Sequence, residues 1–517
     1  MDLSEMLARN ARRFPDKLAL IERTPSRNQR RDVSWKKMDE RVNRLANALV
    51  ARGIGRGDMV IQWMMNSIEW LEVYIGIIRT GACDVPLNFR FTGNEFRYCI
   101  DVSEPKAVIL DKEFVERIEE SNDGSLPLLD YIVVGDRAPE NKVQYEELLS
   151  DSSPEPLWVR IGPEDPCGLY FTSGTTGAPK PILLTHQNLE SAAITEVIHD
   201  NKRPGETFVI LKPLYHTGDK IHWLSSLILG ETAVIQRDKI TPKAILTAMH
   251  EERGNVAMML VPWLQDTLTA LEEGYICKED YDLNCWRLVL LGAQPVPPSL
   301  IEAWCNHFPH MEYEVNYGLT EASGPGCIHL GIGNGHKLGA LGVPGFNWDV
   351  RLVDDSGHDV PRGEAGEILV RGNGVMKEYY KNPGKTAEAI RNGWLYTGDM
   401  GRMDGDDFIW PCDRKKDIII SGGENVYPAE VEEAIRMHPY VHDVGVMGIP
   451  DQRLGEIVGA AVELKEGVPV SAEADVLAYC EDNIARYKRP KRVVFEKVLR
   501  NPTGKIEKGK MKKGYFG

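Results

Sequence analysis

The 517-residue chain has no run of about 18 apolar residues, so no segment reads as a membrane span, and stable membrane insertion is not expected. Its opening, Met1-Asp-Leu-Ser-Glu5, has neither a basic stretch nor an apolar one behind it, and secretion is not expected. C-x-x-C spacing is missing too. The nine cysteines (Cys83, Cys99, Cys167, Cys277, Cys285, Cys305, Cys327, Cys412, Cys480) are scattered, which argues against a cysteine metal knuckle or a disulfide frame. They read as reduced, mostly buried thiols, and the chain as cytoplasmic. Positive charge is short as well: 61 Lys and Arg stand against 77 Asp and Glu, and the net charge of −16 argues against nucleic-acid binding. No internal repeat or low-complexity segment stands out.

What is there is a core. A hydrophobic content of 42% over this length allows more than one domain. Charge is unevenly spread: residues 414–517 carry 18 Lys and Arg against 16 Asp and Glu, and Arg486 to Lys513 carries 12 basic and 2 acidic residues. That tail is either a solvated end or a positive lip for a phosphorylated ligand. Ser34 can cap a helix whose Met38, Val42, Leu45, Ala46 and Leu49 share one face, ending at Gly53. A strand at Val60–Trp63 and a helix from Glu69 to Thr80, stopped by Gly81, follow. Such alternation predicts an α/β fold with parallel sheets. Residues 121–165, rich in Ser, Pro, Asp and Glu, read as a looser surface connection.

The segment Tyr170-Phe-Thr-Ser-Gly-Thr-Thr-Gly-Ala-Pro-Lys180 carries the most chemistry. Cys167–Phe171 and Pro181–Thr185 read as strands; between them lie Thr172, Ser173, Thr175 and Thr176, two glycines and a lysine. Glycines let backbone N–H groups converge on an anion, and Lys180 adds a point charge, so the loop is suited to phosphate. It is not a Walker A loop: Gly174 and Gly177 are too close, and no helix start follows the lysine. A plain hairpin turn is the competing reading.

The pattern T-S-G-T-T-G-x-P-K resembles the nucleotide loop of the adenylate-forming superfamily, in its acyl-CoA synthetase (acid–thiol ligase) branch, and later motifs extend the resemblance over nearly the whole chain. The family usually has glycine after the lysine; Pro181 stands here, removing a backbone N–H and stiffening the loop exit. The resemblance implies a large N-terminal domain of parallel-rich sheets and helices (residues 1–413), a hinge at 414–417 pivoting on Lys416, and a small mobile α/β lid (418–517). It implies ATP, Mg²⁺ and coenzyme A as cofactors and a small carboxylic acid as substrate; a homodimer is compatible with it.

Asn316-Tyr-Gly-Leu-Thr-Glu321 is similar to the family's adenine and metal motif. By resemblance Asn316, Tyr317 and Gly318 meet the adenine, Thr320 the α-phosphate, and Glu321, a hard oxygen ligand, Mg²⁺. Gly292 and Ala293 of Leu291-Gly-Ala-Gln-Pro295 match the turn between adenine and acyl pocket. Asp399 of Tyr396-Thr-Gly-Asp399 looks like the ribose clamp, with Arg414 as second contact; a turn aspartate bonding its own backbone is the alternative. Gly422, Gly423 and Glu424 match the loop that lines the coenzyme A tunnel. Lys505, in Asn501-Pro-Thr-Gly-Lys505, matches the catalytic lysine, needed because carboxylate and α-phosphate repel one another.

The expected reaction is two-step: ATP and an acid give acyl-AMP and pyrophosphate, then coenzyme A displaces AMP. The acid is less determined. His216 in Pro213-Leu-Tyr-His-Thr-Gly218 stands at the pocket entry, and Gly292, Gly318 and Trp223 complete the expected acid pocket. An aromatic, alicyclic or short-to-medium-chain acid is the default. Asp219 with Trp223 could instead hold a quaternary ammonium, as a carnitine or betaine ligase needs, or these side chains could point at solvent. An acyl-AMP ligase loading a separate carrier protein uses the same motifs.

Overall fold

The computed structural model describes residues 2–121, 130–140, 142–172, 179–414, 417–421, 424–451, 453–469, 471–484, 486–501 and 504–517, without the side chains of 120, 121, 413, 414, 424 and 425. Helix and strand alternate through the first half as the periodicity predicts. Ser34 Oγ accepts from the Lys37 N–H and opens the helix Trp35–Ala51, which buries Met38, Val42, Leu45, Ala46 and Leu49. The next helix, Ile68–Arg79, is capped by Ser67 and buried at every residue. Its charged residues Glu69, Glu72 and Arg79 are met by Arg31, Arg41 and Asp39, and its apolar residues lie in the main core.

Two large sheets carry the N-terminal part. In the eight-stranded sheet, Pro166–Thr172, Cys83–Pro86, Met59–Trp63, Ala107–Asp111, Asp130–Val134 and Val143–Gln144 are parallel, in that spatial order, with Lys180–Thr185 and Glu378–Tyr379 added antiparallel. In the nine-stranded sheet, Glu312–Leu319, Leu288–Leu291, Val256–Met259, Thr207–Ile210, Thr232–Gln236 and Leu18–Thr24 are parallel. Parallel sheets are covered on both faces, which is why their strands read as continuous apolar runs. An antiparallel sheet built on Trp348–Val353, Ala365–Gly372 and Trp394–Met403 completes this part.

Residues 122–129 and 141 of the stretch 121–165 lie outside the described residues; the remainder is more regular than its composition suggests. Its two edge strands and the helix Tyr145–Ser150 extend the eight-stranded sheet, and buried Tyr145 donates to Glu72 Oε2 at 3.1 Å. Short edge strands need few apolar residues, so composition hid them.

Beyond residue 417 the chain builds a separate five-stranded sheet around Val441–Asp451 and Gly455–Leu464, flanked by helices Pro428–Arg436 and Ala472–Asn483. It has its own core of Ile419, Val426, Val431, Ile435, Val444, Val446, Val458 and Val476. All nine cysteines are free and six are buried, as their scatter suggested. Among the described residues no helix is long and apolar enough to cross a membrane.

Candidate active site

The strands flanking the phosphate-type segment form an antiparallel hairpin with Thr172 opposite Lys180. Ser173, Gly174, Thr175, Thr176 and Gly177 lie outside the described residues, as do Lys416, Gly422, Gly423 and the side chains of Arg414 and Glu424. Pro181 sits inside the second hairpin strand, and its carbonyl accepts from the Tyr380 N–H at 2.9 Å. That bond anchors the short strand Glu378–Tyr379, which brings Tyr379 under the lysine. Lys180 Nζ lies 5.5 Å from the Tyr379 ring centroid, and the Tyr379 hydroxyl donates to Glu321 Oε1 at 2.8 Å. A cation and a carboxylate that are 141 positions apart are thus joined through one phenol.

Gly318 permits the sharp path that delivers Glu321. A Cβ there would stand 2.0 Å from the Gly324 carbonyl oxygen, so only glycine fits. Gly292 is similarly confined: its Cβ would meet Asn316 Oδ1 at 2.7 Å. The next residue, Ala293, has φ +69°, a left-handed conformation that costs a non-glycine residue energy and tends to persist where function requires it. Asn316 is buried, and among the described residues neither its Oδ1 nor its Nδ2 has a hydrogen-bond partner. Orphaned amide atoms are costly, and a base edge that both accepts and donates, such as adenine's, would satisfy them. Glu321 supplies the oxygen donor that Mg²⁺ prefers, so the residues present fit both groups.

Asp399 is not merely a turn aspartate. Its Oδ2 accepts from the Tyr317 hydroxyl at 2.6 Å, while its own N–H donates to Thr397 Oγ1. Arg414 faces Asp399 across the antiparallel register.

The C-terminal turn reaches this site from the other unit. Arg500 Nη1 donates to Gln294 Oε1 at 3.0 Å and also to the Gly504 carbonyl, while Arg500 grips Asp443 through two bonds of 2.7 and 2.8 Å. Gln265 Nε2 donates to the His442 carbonyl nearby. Lys505 is exposed on the turn beside Gly504, its N–H held by Asn501 Oδ1 at 3.0 Å. It is close enough to His216 to act on it electrostatically. Burial, then Lys212, Lys505, Arg90 and Lys220, push the His216 imidazole down to about 3, so it is neutral at physiological pH. The burial disfavours any charge there, whereas the surrounding Lys212, Lys505, Arg90 and Lys220 would attract an anion.

The helix Thr217–Leu229 corrects part of the pocket reading. Asp219 is fully buried; its Oδ2 accepts from the Leu211 and Lys212 N–H groups at 3.0 and 2.7 Å, with Lys212 Nζ 3.7 Å from the other oxygen. Fully buried and already facing the Lys212 ammonium, it is not presented to a substrate cation. Trp223 packs edge-on to Tyr74 at 6.3 Å inside the main core, so it is a core residue and not a pocket wall. None of these side chains points at solvent. Lys220, also fully buried, donates to the Tyr170 hydroxyl and sits 4.7 and 4.0 Å from the Tyr74 and Tyr170 rings. Burial pulls its pKa to about 8 against the attraction of nearby Asp84.

Sequence reasoning missed Tyr379 and Arg500. Tyr379 belongs to no motif; Arg500 precedes Asn501-Pro and could have been suspected from that adjacency alone.

Two family profiles match the chain: AMP-binding enzyme over residues 7–380 and AMP-binding enzyme C-terminal domain over 430–505. The feruloyl-CoA synthase of an Amycolatopsis species is 34% identical over 93% of this chain and 94% of its own length. The indoleacetate–CoA ligase of Aromatoleum aromaticum is 34% identical over 98% of this chain and 97% of its own. The crystal structure of the anthranilate CoA ligase AuaEII in complex with anthranoyl-AMP superposes with a TM-score of 0.91 at 26% identity, covering 99% and 97% of the two chains. With both profiles in order along one chain and near full-length similarity to such relatives, this protein belongs to the AMP-binding enzyme family, in its acyl-CoA synthetase branch.

Proposed function

We propose that the chain is an ATP-dependent, AMP-forming carboxylic acid–CoA ligase whose substrate is a ring-bearing acid. The observation that carries this reading is the docking of the Arg500–Lys505 turn on Gln294, next to Gly292, Ala293 and the orphaned Asn316 amide. That arrangement suits adenylate formation. An acid carboxylate attacks the α-phosphorus of ATP in line, a P–O bond forms, and the bond to pyrophosphate breaks. Lys505 offsets the repulsion between carboxylate and α-phosphate, Thr320 contacts that phosphate, and Lys180 with Thr172, Ser173, Thr175, Thr176 and the backbone at Gly174 and Gly177 holds the departing pyrophosphate. Mg²⁺ held by Glu321 would neutralise phosphate charge there. Tyr317 and Gly318 border the base, and Asp399 with Arg414 grips the ribose.

For the second half-reaction the unit of residues 418–517 turns about Lys416, withdraws Lys505, and opens a passage along Gly422, Gly423 and Glu424. The coenzyme A thiolate attacks the acyl carbonyl, and AMP departs with the C–O bonding pair.

A ring-bearing acid is favoured over a long aliphatic one. His216, Tyr215 and Phe89 form a compact aromatic group, with Phe89 edge-on to Tyr215 at 5.5 Å. The helix behind it is filled by Lys220 and its aromatic box, and a buried ammonium is a poor neighbour for an alkyl chain. Relatives acting on ferulate and indoleacetate support the same class. The carnitine reading is disfavoured, because Asp219 is fully buried and its charge faces Lys212.

The test is AMP and pyrophosphate release over a panel of cinnamate, indoleacetate, benzoate, hexanoate, a long-chain acid, carnitine and an amino acid, with and without free coenzyme A. Coenzyme A-dependent turnover strongest with the ring acids is expected. Adenylate formation indifferent to coenzyme A would instead make the protein a carrier loader. At the metal motif, Tyr379→Phe removes the bond to Glu321, worth about 0.5–1.5 kcal/mol. Steady-state kinetics should show an increase of about 2- to 12-fold in KM for MgATP; an unchanged KM would remove Tyr379 from the site.

A further inference from the structure

Beneath the helix Thr217–Leu229, outside the adenylation site, lies a buried cluster that the reaction does not use. Glu196 and Asp200 stand four positions apart, at the end of the helix His186–His199 and at its C-cap, so they share a face. His222 faces them from the neighbouring helix: its Nδ1 is 3.3 Å from Asp200 Oδ2 and 3.6 Å from Glu196 Oε2. All three side chains are fully buried. Among the described residues the only close polar approach within the cluster is that of His222 Nδ1 to the two carboxylates, and by strict geometry none of their six polar atoms (both oxygens of Glu196, both of Asp200, both ring nitrogens of His222) completes a hydrogen bond. Burying two carboxylates and an imidazole without closing any of them costs several kcal/mol by any accounting, unless something sits between them.

The surroundings do not supply that partner. Lys202 Nζ spends itself on the His222 carbonyl at 2.9 Å and Ser226 Oγ at 3.1 Å. His329 lies on the far side, with Nε2 3.9 Å from Glu196 Oε1 and hydrogen-bonded to the Gly326 carbonyl, and Nδ1 3.4 Å from Glu314. Room for Glu196 is made by the backbone: a Cβ at Gly326 would stand 2.0 Å from Glu196 Oε1.

We propose that Glu196, Asp200 and His222 form an internal binding site for a divalent first-row cation of the Zn²⁺ type. A tetrahedral ion with bonds of about 2.0–2.1 Å holds its ligand atoms about 3.3–3.4 Å apart, close to the two separations found here. One imidazole with two carboxylates is a donor set that Zn²⁺ and Co²⁺ accept, the fourth position falling to the second oxygen of a carboxylate or to one water, whereas Mg²⁺ favours an all-oxygen, six-coordinate shell. The ion would tie the two helices together. One of them begins at His216, and the strand carrying His329 pairs with the strand of Asn316 and Tyr317, so the site braces the acid and adenine walls from behind. It is distinct from Mg²⁺ at Glu321.

The experiment uses the full chain expressed in minimal medium with Zn²⁺, and separately with Co²⁺, then desalted extensively without chelator. Elemental analysis should find about one equivalent per chain. The cobalt form should show visible d–d absorption of tetrahedral intensity, and X-ray absorption of the zinc form should show only N and O neighbours at about 2.0–2.2 Å with imidazole scattering. Removing the ion with a strong chelator should lower Tm by about 5 °C or more, restored by Zn²⁺ and not by Mg²⁺. Glu196→Gln and His222→Gln should each lose the bound equivalent. A metal-free wild-type chain with no cobalt spectrum would overturn the site and leave a proton-sharing cluster in its place. Sulfur scattering, or full metal content in both variants, would overturn it equally by locating the ion elsewhere. The wild-type measurements decide even where a variant does not fold.

Discussion

Replacing Lys505 with alanine slows acyl-adenylate formation by about 100- to 1,000-fold, while thioester formation from supplied acyl-AMP proceeds at the unaltered rate. The magnitude is that of removing one preorganised donor aimed at developing charge, about 2.7–4 kcal/mol. The separation of the two half-reactions follows from geometry. Lys505 belongs to the unit beyond residue 417, and its turn docks through Arg500 on Gln294, beside the residues proposed to hold adenine and acid. A catalytic group borne on one face of a moving unit serves only the step in which that face is presented. Pyrophosphate release and single-turnover thiolation measure the two steps separately. An equal loss in both would mean that Lys505 supports the fold or the common nucleotide site, and the assignment would fail.

Replacing Asp399 with alanine weakens ATP binding by about two orders of magnitude or more. Two hydrogen bonds from ribose hydroxyls to a carboxylate are worth about 1.5–3 kcal/mol each. Tyr317→Phe separates this effect from general damage. The Tyr317 hydroxyl donates to Asp399 Oδ2 at 2.6 Å, so a ribose hydroxyl must compete with it. Removing that hydroxyl while keeping the ring should leave ATP affinity unchanged or raise it. Calorimetric titration with ATP or a non-hydrolysable analogue reads both variants. Comparable losses in Asp399→Ala and Tyr317→Phe would show that the pair acts as a structural clasp between strands, with no ribose contact to lose.

Much of the architecture was legible because it rests on local rules. Ser34 and Ser67 mark helix starts by accepting from the N–H three residues on, and the apolar spacing after them sets which face is buried. The strands of the large parallel sheets announce themselves as apolar runs. Where a segment is short and polar, as between Asp130 and Ser150, sheet pairing supplies an order that composition did not forecast. The polar run Asp219–Trp223 marks the limit of such reading. On a helix wheel it could face solvent or a cationic substrate; Asp219, Lys220, His222 and Trp223 instead face Lys212, Tyr170, Asp200 and Tyr74, and Ile221 is buried in the main core.

The sequence by itself determined the family, the reaction class and the order of the motifs, because glycines, hydroxyls and single charged residues at set spacings are constraints that local chemistry imposes. Only the tertiary structure decided which of them meet. Tyr379 links Lys180 to Glu321, Arg500 brings the Lys505 turn onto Gln294, and Glu196, Asp200 and His222 converge in the buried interior. These are contacts between elements far apart in the chain, and a contact of that kind is set by packing, for which no local pattern in the sequence is a record.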